Sequence, residues 1–163
     1  MSLHTKNFLF ALAATVLWFF IMRPFTPPII IAFELAVNTA TAQSIISNWS
    51  PEQINNVKTS IYLDFGFILA YCSAFMFACR AASNFSGVQF FIKTGLQLSW
   101  IVWLAGLCDA IENIAMLRTL SELSQTSVSI AFYFATIKFG ILLIALIFVL
   151  ISLVIGVFTK IRS

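Results

Sequence analysis

Long apolar stretches, each stopped by a basic residue or a proline, dominate the pattern along this chain. Four segments are long enough to read as spans, at about residues 8–25, 61–79, 94–114 and 138–158. The first closes on Arg23-Pro24 and the Pro27-Pro28 pair. The second closes on Arg80, the third opens after Lys93, and the fourth ends before Lys160 and Arg162. None alternates polar and apolar residues as a barrel strand would, and lipid satisfies no open backbone, so all four are predicted to be helices. The fourth apolar run begins earlier, at Val128, and is interrupted only by Lys138.

The connection from 26 to 60 is too long for a turn between spans. It opens on Ile29-Ile30-Ile31-Ala32-Phe33, and over 39–49 Ile45, Ile46 and Trp49 share one helical face. This predicts a short amphipathic helix with Trp49 as an interfacial anchor. Ser50-Pro51-Glu52-Gln53 is a strong helix start, with Ser as N-cap, Pro at the first position and Gln at the capping-box position. The second long helix therefore begins near Pro51, well before its span. The fourth also overruns a ~30 Å hydrocarbon core. Apolar surface outside the membrane must be covered, so residues 26–60, together with 118–137, are expected to form a small cap. The stripe Gly66, Ala70, Ala74, Ala78 lets helices approach closely, and Gly106 with Ala110 repeats the device.

Composition agrees with the pattern. Of 163 residues, 61 % are hydrophobic and only 9 % charged, too few charges to cover a water-facing domain. Nine basic residues spread along the chain form no nucleic-acid patch. With the N-terminus cytoplasmic, Lys6, Arg80, Lys93, Lys160 and Arg162 lie inside without a carboxylate among them, and all six acids fall on the other side. The positive-inside rule favours this N-in, C-in arrangement. Lys6 and the first apolar run resemble a signal peptide, but no small-residue cleavage site follows, so an uncleaved first span is expected. The expectation is a single all-α domain, 1–163: an up-down four-helix bundle in the membrane (the inner membrane, if the source is bacterial) with an extracytoplasmic cap.

Ionisable residues within the spans carry the chemical information. Asp64 lies sixteen positions from Arg80, and Asp109 sixteen from Lys93, so both sit about 24 Å from the cytoplasmic surface at the helical rise. Glu112 is a turn higher, and Lys138 stands about 33 Å above Lys160. Asp109, Glu112 and Asn113 share a face at i, i+3 and i+4, and Asp64 shares one with Tyr71. Glu34, from the cap, reaches the same layer. A charge at the bilayer centre costs about 2.5–3.5 kcal/mol on insertion scales, so such groups pair or face a cavity. The candidate ligand-binding set is thus Glu34, Asp64, Tyr71, Asp109, Glu112, Asn113 and Lys138. Lys138 is expected to be charged and bonded to Asp109 or Glu112, with Asp64 on the opposite wall.

Several chemistries drop out. His4 is the single histidine and terminal, which removes bis-histidine haem, histidine-ligated zinc and Ser-His-Asp catalysis. No glycine-rich phosphate loop is present. Neither a resident metal nor a cofactor is expected, and a bound cation would be held by oxygens. Cys72 and Cys79, about 10 Å apart on one helix, cannot bridge, and Cys108 belongs to another helix.

The strings Phe33-Glu34-Leu35-Ala36, Leu63-Asp64-Phe65 with Tyr71, Asp109-Ala110-Ile111-Glu112-Asn113 and Lys138-Phe139, with Trp49 and Leu117, resemble a group of small bacterial four-span membrane proteins. The resemblance runs from Glu34 to Phe139. It implies the four-span fold and transfers no activity. The four-span sterol-isomerase-like fold, with acids in a membrane cavity, is an analogy of architecture only. Three functions remain open. The first is binding or transport of a small ligand or cation at the acidic/Lys pocket. The second is a membrane enzyme using a carboxylate as acid or base on a lipid or apolar substrate. The third is a structural subunit that offers its small-residue face to a helix-packing partner or a second copy of itself.

Overall fold

The structure, a computed structural model, describes residues 3–162, and among them there is no strand. Helix α1 spans Leu3–Met22 and ends in a 3-10 turn, Arg23–Phe25. Two short helices follow, α2 (Ile30–Glu34) and α3 (Thr39–Ile46), and then three long ones, α4 (Pro51–Ser86), α5 (Gln89–Ser121) and α6 (Gln125–Arg162). The α1 segment and the three long helices are all long and apolar enough to cross a membrane. That is the mark of a multi-pass membrane protein. Their outer faces carry exposed Phe10, Leu17, Leu104, Ile144 and Leu150, a surface suited to lipid and not to water.

Local chemistry sets the helix ends. The Ser50 hydroxyl accepts from the Gln53 amide at 3.2 Å, and Gln53 Oε1 accepts from the Ser50 amide at 2.8 Å, so the capping box opens α4 at Pro51 as expected. Gly87 closes α4 with φ 69°, a left-handed conformation that disfavours any side chain. A Cβ there would meet nothing within 4 Å, so backbone conformation, not space, selects glycine. Residues 118–137 are the continuing ends of α5 and α6, joined at Glu122–Ser124, where Ser124 Oγ accepts from the Ser127 amide at 3.2 Å.

The α2–α3 segment covers the ends of α4, α5 and α6. Phe33, Ala36, Ala42 and Trp49 are buried with Val57 and Ile61 of α4, Ala115 and Met116 of α5, and Val128 and Ala131 of α6. Gln125 fastens the segment twice: its Oε1 accepts from the Thr39 amide at 3.1 Å and its Nε2 donates to the Val37 carbonyl at 3.2 Å. The expected interfacial anchor is corrected here. Trp49 is 7 % exposed and meets Phe33 edge to face at 5.3 Å, because the cap needs a bulky core of its own.

Two glycines of the long helices, Gly66 and Gly106, are covered by side chains of neighbouring helices. A Cβ on Gly66 would lie 2.2 Å from the Trp18 ring of α1, and the Trp18 indole donates to the Leu63 carbonyl at 2.8 Å. Gly106 lies against Cys72 and Ile68 in the α4–α5 contact. Consequently α1 packs along α4, α4 along α5 and α6, and α5 along α6, whereas α1 and α6 do not pack along each other. All three cysteines are buried and free.

Candidate functional site

Helices α2, α4, α5 and α6 each bring one or more ionisable residues to a common level beneath the α2–α3 segment. On α5, the i, i+3, i+4 spacing puts Asp109, Glu112 and Asn113 on the buried face. From α6, Lys138 enters between the carboxylates, and from α4 come Asp64 and Tyr71. Glu34 is the last residue of α2 and descends from the cap.

The Lys138 ammonium donates to Asp109 Oδ1 at 2.9 Å. It also lies 2.8 Å from Glu112 Oε2 and 3.7 Å from Glu34 Oε2. The Glu112 contact is a close ion pair without hydrogen-bond alignment, and neither Glu112 oxygen has a hydrogen-bond partner among the described residues. The second Asp109 oxygen is taken as well: the Tyr71 hydroxyl donates to Oδ2 at 2.8 Å. Asn113 Nδ2 donates to Asp64 Oδ2 at 2.7 Å, and no lysine or arginine among the described residues lies within 4.0 Å of Asp64. Burial beneath the cap raises the Glu34 carboxyl above the usual carboxylate range, the effect only partly offset by the nearby Lys138 charge.

A cavity of about 680 Å³ opens beside this cluster, within the range of sites that hold drug-sized molecules. Glu34, Asp64, Tyr71, Asp109, Asn113 and Lys138 all line it. Glu112 does not: it is fully buried and is paired with Lys138 outside the lining. Asp64 lines the same cavity as Asp109 and Glu34, and it is held by Asn113 and not by the lysine.

Other lining residues escaped the sequence reading. Thr26 and Ser60 share a hydrogen bond of 2.7 Å at the cavity wall, and Arg23 stands exposed at its rim. Ser60 lies one turn from Asp64 on α4, and Phe67 and Phe75 continue that face, so helical spacing from Asp64 would have found them. Arg23 opens the 3-10 turn after α1 and Thr26 ends it, a stretch too short for helical periodicity to mark a face. Among the described residues, no group of three or more His, Cys, Asp or Glu side chains has the geometry to hold a metal ion.

No family model, curated protein or solved structure matches this chain.

Proposed function

We propose that this multi-pass membrane protein binds, or carries, a small cationic ligand in the cavity beneath the cap, with the N- and C-termini cytoplasmic and the cap outside. One observation carries the reading. Asp64 lines a roomy cavity with no cationic partner, while the single lysine of the site is already shared among Asp109, Glu112 and Glu34. A registry device would match its charges, and here Glu34, Asp64, Asp109 and Glu112 outnumber Lys138 together with Arg23, which stands exposed at the rim. The remaining negative charge is complementary to a cation, and the low-dielectric surroundings strengthen that attraction.

The test is a mass-spectrometric inventory of the small molecules and metals that purify with the protein and with Asp64→Asn. A cationic species held by the natural chain and depleted in the variant is the expected result. Identical inventories without any such species would overturn the reading.

A second reading, acid–base catalysis on an apolar substrate, draws on the hydrogen-bonded chain from Tyr71 through Asp109 to Lys138. It requires a turnover that falls in Tyr71→Phe and in Glu112→Gln. A ligand recovered chemically unchanged after incubation with the protein would speak for binding instead.

A further inference from the structure

We propose that the occupant is a single-chain amphiphile with a primary ammonium head, admitted from the lipid phase between α1 and α6. This rests on the cationic reading above and specifies what the cation is attached to and how it arrives.

The route follows from which helices touch. Phe19 of α1 and Phe139 and Leu142 of α6 all line the cavity, yet α1 and α6 do not pack along each other. Phe19 and Phe139 are also exposed on the outer surface, so the side shared by α1 and α6 is a seam in the apolar exterior that the bilayer would cover. The water-facing side is roofed by Pro27, Pro28, Ile30 and Ile31, with the buried cap core behind them. A ligand that crosses this seam starts in lipid and needs an apolar body.

The cavity has room for that body. Along α4 the lining runs from Asp64 through Phe67 and Tyr71 to Phe75, roughly 16 Å of helix. Beyond the carboxylate layer, away from the cap, Phe67, Phe75 and Leu142 present hydrocarbon to an alkyl chain. Seated with its tail there, an amphiphile places its head at Asp64. A positive head suits this layer, because Lys138 is already engaged, Asp64 has no lysine or arginine within 4.0 Å, and Arg23, the other cation of the lining, stands exposed at the rim. A primary ammonium brings three donors, enough to bond Asp64 and reach neighbouring acceptors; a quaternary head brings none.

The experiment uses the full chain in phosphatidylcholine nanodiscs, with binding followed by native mass spectrometry. The probes are dodecylamine, butylamine, dodecyltrimethylammonium and dodecanoate. Dodecylamine should bind one to one and in preference to the other three, with about tenfold weaker binding to Asp64→Asn, the loss expected of one charge-assisted hydrogen bond. A photoreactive dodecylamine should label the Phe67–Phe75 stretch of α4 and the Phe139–Leu142 stretch of α6. Butylamine bound as tightly as dodecylamine would leave the cationic site standing and overturn the amphiphile. Dodecyltrimethylammonium bound equally well would overturn the primary head. Preference for dodecanoate, or no binding by any cation, would overturn this inference and the cationic reading together. The comparison of chain lengths and heads is made on the natural sequence, so it holds even if Asp64→Asn fails to fold.

Discussion

Lys138 and Asp109 meet at 2.9 Å between α6 and α5, with side chains only 8 % and 6 % exposed. The pair is the centre of the buried ionic group, since Lys138 also touches Glu112 and Glu34, and Asp109 also accepts from Tyr71. Breaking a buried pair by removing one partner strands a charge, at a cost of about 3–5 kcal/mol. Lys138→Met should therefore be strongly destabilising. Adding Asp109→Asn or Glu112→Gln to it should cost less than the sum of the single changes. Melting curves of the three single and two double variants measure this coupling. Strict additivity in both pairs would show that Lys138 holds neither carboxylate.

Glu34 links the cap to this group, and its protonation should tune the stability of the cap end. Burial raises its carboxyl above the ordinary value of 4.5. The folded chain then keeps a proton at a pH where the unfolded chain has lost it. The resulting stabilisation is complete below the unfolded value and is lost as pH rises through the folded one. Glu34→Gln, which never ionises, should melt higher than the natural chain at mildly alkaline pH, and the two should converge as pH falls toward 4.5. A difference that stays constant across this range would remove Glu34 from the pH response.

The sequence foretold the level at which the ionisable groups gather, because depth in a membrane helix is a count of residues from a basic marker. Spacing also announced the shared face of Asp109, Glu112 and Asn113. Which face looks into a cavity and which backs onto another helix depends on three-dimensional packing. Glu112 and Asp109 have the same face and charge, yet Asp109 lines the cavity and Glu112 is buried outside the lining. Trp49 failed for a related reason: an aromatic near a membrane end suits an interface or a small core, and only the position of Phe33 separates the two. The seam between α1 and α6 left no mark, since it arises from α1 packing along α4 instead of completing the bundle.

The α1–α4 contact depends on one missing methyl group. A Cβ on Gly66 would fall 2.2 Å from the Trp18 ring, and that ring cannot swing away without losing the bond from its indole to Leu63. Gly66→Ala should destabilise the protein by about 1–3 kcal/mol, the usual cost of overpacking. Trp18→Leu together with Gly66→Ala should recover part of that loss, because the smaller side chain leaves room for the methyl. Thermal melting of the two single variants and the double variant measures it; a double variant as unstable as the sum of its parts would refute the contact.

Orientation is open to a direct chemical test, and the helix ends choose the sites. Asn55 is exposed in the first turns of α4, on the cap side, and Gln89 is exposed where α5 begins, on the opposite side. The native cysteines 72, 79 and 108 are buried, so a membrane-impermeant thiol reagent should leave them unmodified in intact cells. With the N- and C-termini cytoplasmic, as the basic residues Lys6, Arg80, Lys93 and Lys160 favour, Asn55→Cys should be labelled from outside and Gln89→Cys only after the membrane is opened. Labelling of Gln89→Cys but not Asn55→Cys in intact cells would reverse the protein. The cap and the Asp64 cavity would then face the cytoplasm, and any amphiphile would be drawn from the inner leaflet instead of the outer one.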